Sequence, residues 1–146
     1  QAEATDLPFA AASVDGILAE CSLSTMPDRA AVLREWWRVL AEGGRLALSD
    51  GHRRAPGPAR PAPPSPMVTW SRLAADLTEA GFEIEWFEDC SDVLKSWVAR
   101  FVFEYGSLEA LWGGECGLNA ESVRQAAPGY FVLIADKRPH RRETMP

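Results

Sequence analysis

The chain has 146 residues, of which 47% are hydrophobic and 25% charged, and its formal net charge is −6. That is one domain's worth of globular sequence with enough apolar content for a core, and the acidic balance argues against a broad surface for nucleic acid or an anionic membrane. No apolar run approaches the roughly 20 residues that cross a bilayer, and three cysteines without close pairing point away from a disulfide framework and toward a reducing, cytoplasmic setting.

Gln1-Ala2-Glu3 reads neither as a signal peptide nor as an ordinary initiator. Asp6, Leu7 and Pro8 are expected to turn the chain, with Phe9 anchoring the turn in the core. Val14 to Cys21 is a short, mostly apolar run centred on Ile17 and Leu18, the pattern of a strand covered on both faces. Met26-Pro27-Asp28 then starts a helix, with Ser24 or Thr25 as the expected N-cap and Pro27 near the first helical position. Ala30, Leu33, Trp37 and Leu40 recur at helical spacing and predict its apolar stripe. Gly43-Gly44 predicts a left-handed stop. Arg45 to Ser49 is a second strand ending at Asp50, and two strands joined by a helix of this length should run parallel.

Residues 51–68 hold a proline-rich stretch, with six of the eleven prolines and three arginines between Gly51 and Met67. Such composition favours an extended connector. It follows Asp50 directly, so it can also be read as a basic lid for an anionic substrate. His52 is the one histidine near that point and a candidate base. Thr69 or Ser71 caps a further helix whose apolar face is Trp70, Leu73, Leu77 and Ala80, ending at Gly81. Phe82 to Phe87 alternates apolar and acidic residues, the period of a half-exposed strand.

Residues 91–128 separate that strand from Tyr130 to Asp136, the natural final strand. Ser91-Asp92 is expected to cap a helix carrying Val93-Leu94, Trp97-Val98, Phe101-Val102 and Tyr105, a wide stripe to be buried in the core, against a partner or over a substrate. Leu108, Leu111 and Trp112 are expected to extend it as far as Gly113-Gly114. The tail, 138–146, is polar and expected to be disordered.

Taken together, L-P-F, then S-V-D-G-I-L, then P-D-R-A-A-V-L-R-E-W-W-R-V-L-A-E-G-G-R-L-A-L-S-D resembles the second half of a class I S-adenosylmethionine-dependent methyltransferase. Val14 stands where the family commonly has Phe, and Ala41-Glu42 where it commonly has Lys-Pro. L-T-E-A-G-F before the third strand is similar to the family's helix-to-strand step. The resemblance implies an α/β fold, the C-terminal half of a Rossmann-like methyltransferase sheet: parallel strands, a final antiparallel strand, and here a helical insertion before it. The partial domain would span 1–137.

The family's glycine-rich loop, of E/D-x-G-x-G-x-G type after a first strand, is absent from these residues. The resemblance therefore starts midway through the fold, and the sequence reads as a fragment that would itself be inactive. In the complete protein the cofactor would be S-adenosylmethionine. Glu3, with Ala4 behind it, takes the family position that contacts the adenine amino group, and a carboxylate suits that donor. Glu20, Cys21 and Ser22 take the position beside the methionine part. No catalytic residue and no metal ligand is nominated, because methyl transfer depends largely on alignment of the reacting atoms. The implied partner is a small-molecule methyl acceptor, with either a homo-oligomer or a missing N-terminal half covering the sheet. Two alternatives are a non-catalytic α/β assembly or binding module, and a thiol metal or metalloid-binding methyltransferase relative using Cys21, Cys90 and Cys116.

Overall fold

A computed structural model describes residues 2–54, 67–107 and 127–138. Strand β1 spans Val14–Glu20. A 3₁₀ turn at Leu23–Thr25 leads to helix α1, Arg29–Val39. The cap of α1 is Asp28, whose side chain accepts from the Ala31 N–H at 2.9 Å. Ser24 and Thr25 belong instead to the 3₁₀ turn, which moves the helix start beyond Pro27. The buried stripe is also rotated from the expected one. Val32, Leu33, Trp36 and Val39 are buried, Trp37 is half-buried and Ala30 is exposed. Two apolar spacings were available in this helix, and contact with the sheet selected between them.

The helix stops earlier than Gly43-Gly44. Leu40 is already extended (φ −64, ψ 137), so the chain passes straight from α1 into strand β2, Leu40–Arg53. Gly43 does adopt φ +73, but inside β2. There Val14 pairs with Leu40 and Gly16 with Arg45, so β2 advances five residues while β1 advances two. The excess loops out. A Cβ at Gly44 would sit 2.9 Å from the Ala41 carbonyl and 3.1 Å from that of Asp15, so only glycine fits the loop unstrained.

Beyond the proline-rich stretch, whose residues 55–66 lie outside the described ones, the chain returns beside the end of β2. Arg53 N–H donates to the Val68 carbonyl at 2.8 Å. Helix α2, Trp70–Glu79, is capped by Thr69, and Gly81 (φ +98) turns it into strand β3, Phe82–Asp89. Helix α3, Ser91–Tyr105, ends on Gly106 (φ +85), and strand β4 spans Pro128–Lys137. The expected extension of α3 through Leu108, Leu111 and Trp112 to Gly113-Gly114, Cys116, and the tail beyond Arg138 all lie outside the described residues.

The sheet order is β1-β2-β4-β3, with β1 and β2 parallel and β4 antiparallel to both its neighbours. This is the expected α/β arrangement. Side chains alternate between two unlike faces. On the first, Leu46, Leu48, Phe131, Leu133, Ala135 and Phe82 pack with Leu33 and Trp36 of α1 and with Leu73 and Leu77 of α2. On the second, the register aligns Leu18, Ala47, Ile134 and Trp86 in one apolar row across the sheet. Leu18 is 73% exposed there.

One expectation of burial fails and another is narrowed. Phe9 is half exposed, and Ala4 and Leu7 pack on the core in its place. In α3 only Ser91 is buried, while Val93, Trp97, Phe103 and Tyr105 are exposed, so of the three places expected for its stripe the core is excluded. Trp97, Phe101 and Tyr105, four residues apart, stack on each other along the helix surface, with ring centroids 5.6 and 4.5 Å apart.

Candidate active site

Because β4 runs opposite to β2 and β3, the carboxyl ends of β1, β2 and β3 share one edge of the sheet with the start of β4. Ligands of parallel α/β sheets bind outside such carboxyl ends. Two polar clusters lie there, one on each face.

On the first face, a small cleft is lined by Leu23, Ser24, Arg29, Asp50, Gly51, Val68, Leu73 and Phe131. Its floor is Asp50, 3% exposed at the end of β2. The Asp50 carboxylate accepts from Ser24 N–H at 2.7 Å, from Ser24 Oγ at 2.6 Å and from Gly51 N–H at 2.6 Å. Arg29, at the first position of α1, is held by its Nε on Asp76 Oδ2 at 2.9 Å, and Arg72 meets the other Asp76 oxygen at 2.7 Å. The cleft is thus apolar-walled, with a fixed carboxylate and a fixed cation among its lining groups.

On the second face stand Cys21, Tyr130 and Ser49. Cys21 turns the chain at the end of β1 with φ +48, an uncommon conformation for a residue with a Cβ. Its N–H donates to the Ser49 carbonyl at 2.8 Å. The Cys21 thiol lies 3.2 Å from the Tyr130 hydroxyl, which donates to Ser49 Oγ at 3.0 Å. Burial lifts the Tyr130 phenol above its ordinary value, and the Cys21 contact adds to that.

A third group sits behind the cleft. His52 is 5% exposed and edge-on to Phe131, and among the described residues neither ring nitrogen has a well-formed hydrogen bond, the backbone of Arg53 being a polar neighbour in its electrostatics. Burial pushes its pKa down, Asp89 opposes that, and Arg54 reinforces it. Asp89 accepts from Ser91 N–H at 2.8 Å and from Ser91 Oγ, which hold its carboxyl below the ordinary range. Ser91 Oγ also accepts from Tyr130 N–H at 3.2 Å, so the start of α3 is fastened to the same edge.

The five nominated residues fall in two places. Glu20, Cys21 and Ser22 end β1 at this edge, with Glu20 and Cys21 exposed. Glu3 is exposed in a turn closed by Asp6 N–H on the Glu3 carbonyl at 3.0 Å, and Ala4 packs on the core beside it. Among the described residues no hydrogen bond joins Glu3 or Ala4 to Glu20, Cys21 or Ser22. Sequence reasoning passed over Arg29, took Ser24 only as a helix cap, and took Ser49, Asp50 and Tyr130 only as strand ends. A polar residue closing an apolar strand was the available signal for Ser49 and Asp50. Nothing local marked Arg29 or Tyr130. Among the described residues no cluster has the makings of a metal site.

A family model described as a methyltransferase domain matches residues 1–48. The 27-O-demethylrifamycin SV methyltransferase of Amycolatopsis mediterranei is 39% identical over 108 residues, covering 66% of this chain and 39% of that protein. The O-methyltransferase resE of Aspergillus sclerotiorum is 39% identical over 146 residues, covering 93% of this chain and 55% of that protein. The fold agrees with them. Over the residues that match, the chain has the sequence pattern and fold of class I S-adenosylmethionine-dependent methyltransferases. It spans about half the length of such relatives, or less. The crystal structure of the [4+2]-cyclase SpnF superposes with a TM-score of 0.74 at 25% identity, over 94% of this chain and 54% of that one.

The exposed end of β1 presents the Glu20 carboxylate, and Cys21 turns the chain there with positive φ. No described helix is long and apolar enough to cross a membrane.

Proposed function

We propose that these residues form the acceptor side of a small-molecule O-methyltransferase that uses S-adenosylmethionine. The observation that carries this reading is the cleft at the carboxyl ends of β1 and β2, apolar on its walls and polar on its floor. The acceptor's reacting hydroxyl enters this cleft, and Glu20, Cys21 and Ser22, at the same carboxyl edge of the sheet, hold the methionine part of the methyl donor. Glu3 contacts the adenine. The donor supplies an activated methyl group, and the protein's part is alignment. Two relatives are named for O-methylation, one of them on a rifamycin, which suggests a hydroxylated, largely apolar acceptor. The setting is cytoplasmic.

The glycine-rich loop would come from sequence beyond the 146 residues. The chain by itself is expected to bind S-adenosylmethionine weakly or not at all, and micromolar affinity by calorimetry would refute this. The activity test uses a protein that includes the loop. It is mixed with the methyl donor and hydroxylated polyketides, 27-O-demethylrifamycin SV among them. A solved neighbour is named a cyclase, so product mass is the deciding measurement. A gain of one methyl group supports the reading; an isomer of unchanged mass, or no product, overturns it.

A further inference from the structure

We propose that Asp50 is the general base of the reaction, taking the proton that the acceptor's hydroxyl releases. The proposal rests on the O-methyltransferase reading above. As the acceptor oxygen bonds to the methyl carbon, the carbon–sulfur bond breaks and its electron pair stays on sulfur. The hydroxyl proton passes to Asp50 Oδ2. The carboxylate and sulfonium charges both disappear, so atoms and charge balance.

Three observations converge on this residue. Asp50 lines the cleft and is 3% exposed, so an acceptor seated there meets it without intervening bulk water. Its hydrogen bonds leave one position open. A carboxylate offers about four lone-pair sites. Oδ1 uses two, on Ser24 Oγ and Gly51 N–H, and Oδ2 uses one, on Ser24 N–H. The remaining site on Oδ2 can receive a hydroxyl. Those three bonds also fix the carboxylate's orientation, which a base needs if it is to meet one proton in one place.

The other titratable groups at this edge are less suited. Tyr130 and Cys21 bond each other and Ser49 on the opposite face. Arg29 has no lone pair to accept a proton. Glu20 is exposed at the strand end. His52 packs against Phe131 and does not line the cleft.

A capping role alone would also explain three hydrogen bonds, so the test must separate base from staple. Wild type, Asp50→Asn and Asp50→Glu are compared in the loop-containing protein with the same donor and polyketides. We expect Asp50→Asn to lose about 10²- to 10⁴-fold in kcat. Affinities for donor and acceptor, measured by calorimetry, should change less than about threefold, as for a group acting only in the chemical step. Asp50→Glu should recover at least about tenfold over the Asn variant, by restoring a proton acceptor. An Asn variant within about fivefold of wild type overturns the proposal, allowing for ordinary positioning effects. If the Asn variant does not fold, the solvent deuterium effect on wild-type kcat decides, since a base taking the proton in the chemical step slows in D₂O, and a kcat unchanged in D₂O overturns it. Absence of any wild-type turnover sinks the underlying reading instead.

Discussion

His52 shows how one side chain ties stability to pH. Its ring is buried against Phe131, and that burial is the main reason its pKa lies below the ordinary 6.5. Two charges face it, Asp89 from the end of β3, which raises the value, and Arg54, which lowers it. The folded chain therefore binds this proton less readily than the unfolded one. Stability is at its full value above the unfolded pKa of about 6.5 and is lost as pH falls from there toward the depressed folded value. Replacing His52 with Leu should flatten the change in urea midpoint between about pH 7.5 and pH 5.5, the range in which an unperturbed histidine titrates. Carboxylates such as Asp89, held low by Ser91, titrate in a separate, more acid window. An identical pH dependence in the variant would show that the titrating group is elsewhere.

Among the elements, α1 does more than cover the sheet. Its Glu35 accepts from Leu7 N–H at 2.7 Å and from Arg38 Nη2 at 2.7 Å. Arg38 in turn donates to the Phe9 carbonyl at 3.0 Å. This pair clamps the segment before β1 onto the helix, which is why Phe9 can remain outside the core. The Arg38 hydrogen bond first, and the Leu7 N–H second, lower the Glu35 carboxyl to about 2. Its contribution is thus present above the ordinary carboxylate range and is lost as pH falls toward 2. Glu35→Gln should lower the unfolding midpoint at neutral pH but not near pH 2, and speed hydrogen exchange at the Leu7 amide by about tenfold or more, because local opening becomes easier. Unaltered Leu7 exchange would mean that the segment is held by packing of Ala4 and Leu7 alone.

At the scale of the molecule, helices α1 and α2 cover one face of the sheet, and among the described residues its edge strands β1 and β3 each pair on one side. β1 hydrogen-bonds to β2, and its other edge is open among the described residues. That edge has Ile17 and Leu18, no proline, and only Asp15 as a charge before Glu20, so it lacks the usual protections against pairing. The row Leu18, Ala47, Ile134 and Trp86 adds bare apolar surface on the second face. α3 packs on β4 and not along β1, so it does not close the edge. The 146-residue chain should accordingly form a dimer or larger assembly. Light scattering on dilute protein is the measurement, and a clean, stable monomer would count against it.

The order of elements was legible in the sequence, because strand and helix periodicity, the glycine at 81 and the proline-rich break are local signals. So was the parallel pairing of β1 with β2, since a helix joins them, and so was the family, since its motif is continuous from Leu7 to Asp50. What needed the tertiary structure was every choice between equivalent local patterns. Val32 and Trp36 are buried in the core while Ala30 is exposed and Trp37 packs only at the core's margin, because the sheet register fixes the rotation of α1. Helix α1 ends at Val39 because Leu40 pairs with Val14, an interaction between residues 26 apart that no glycine announces. The site was hidden for the same reason. Ser24 meets Asp50 across 26 residues and Cys21 meets Tyr130 across 109. Local propensity acts over a few residues, whereas these contacts exist only once the crossover and strand order have brought the carboxyl ends together.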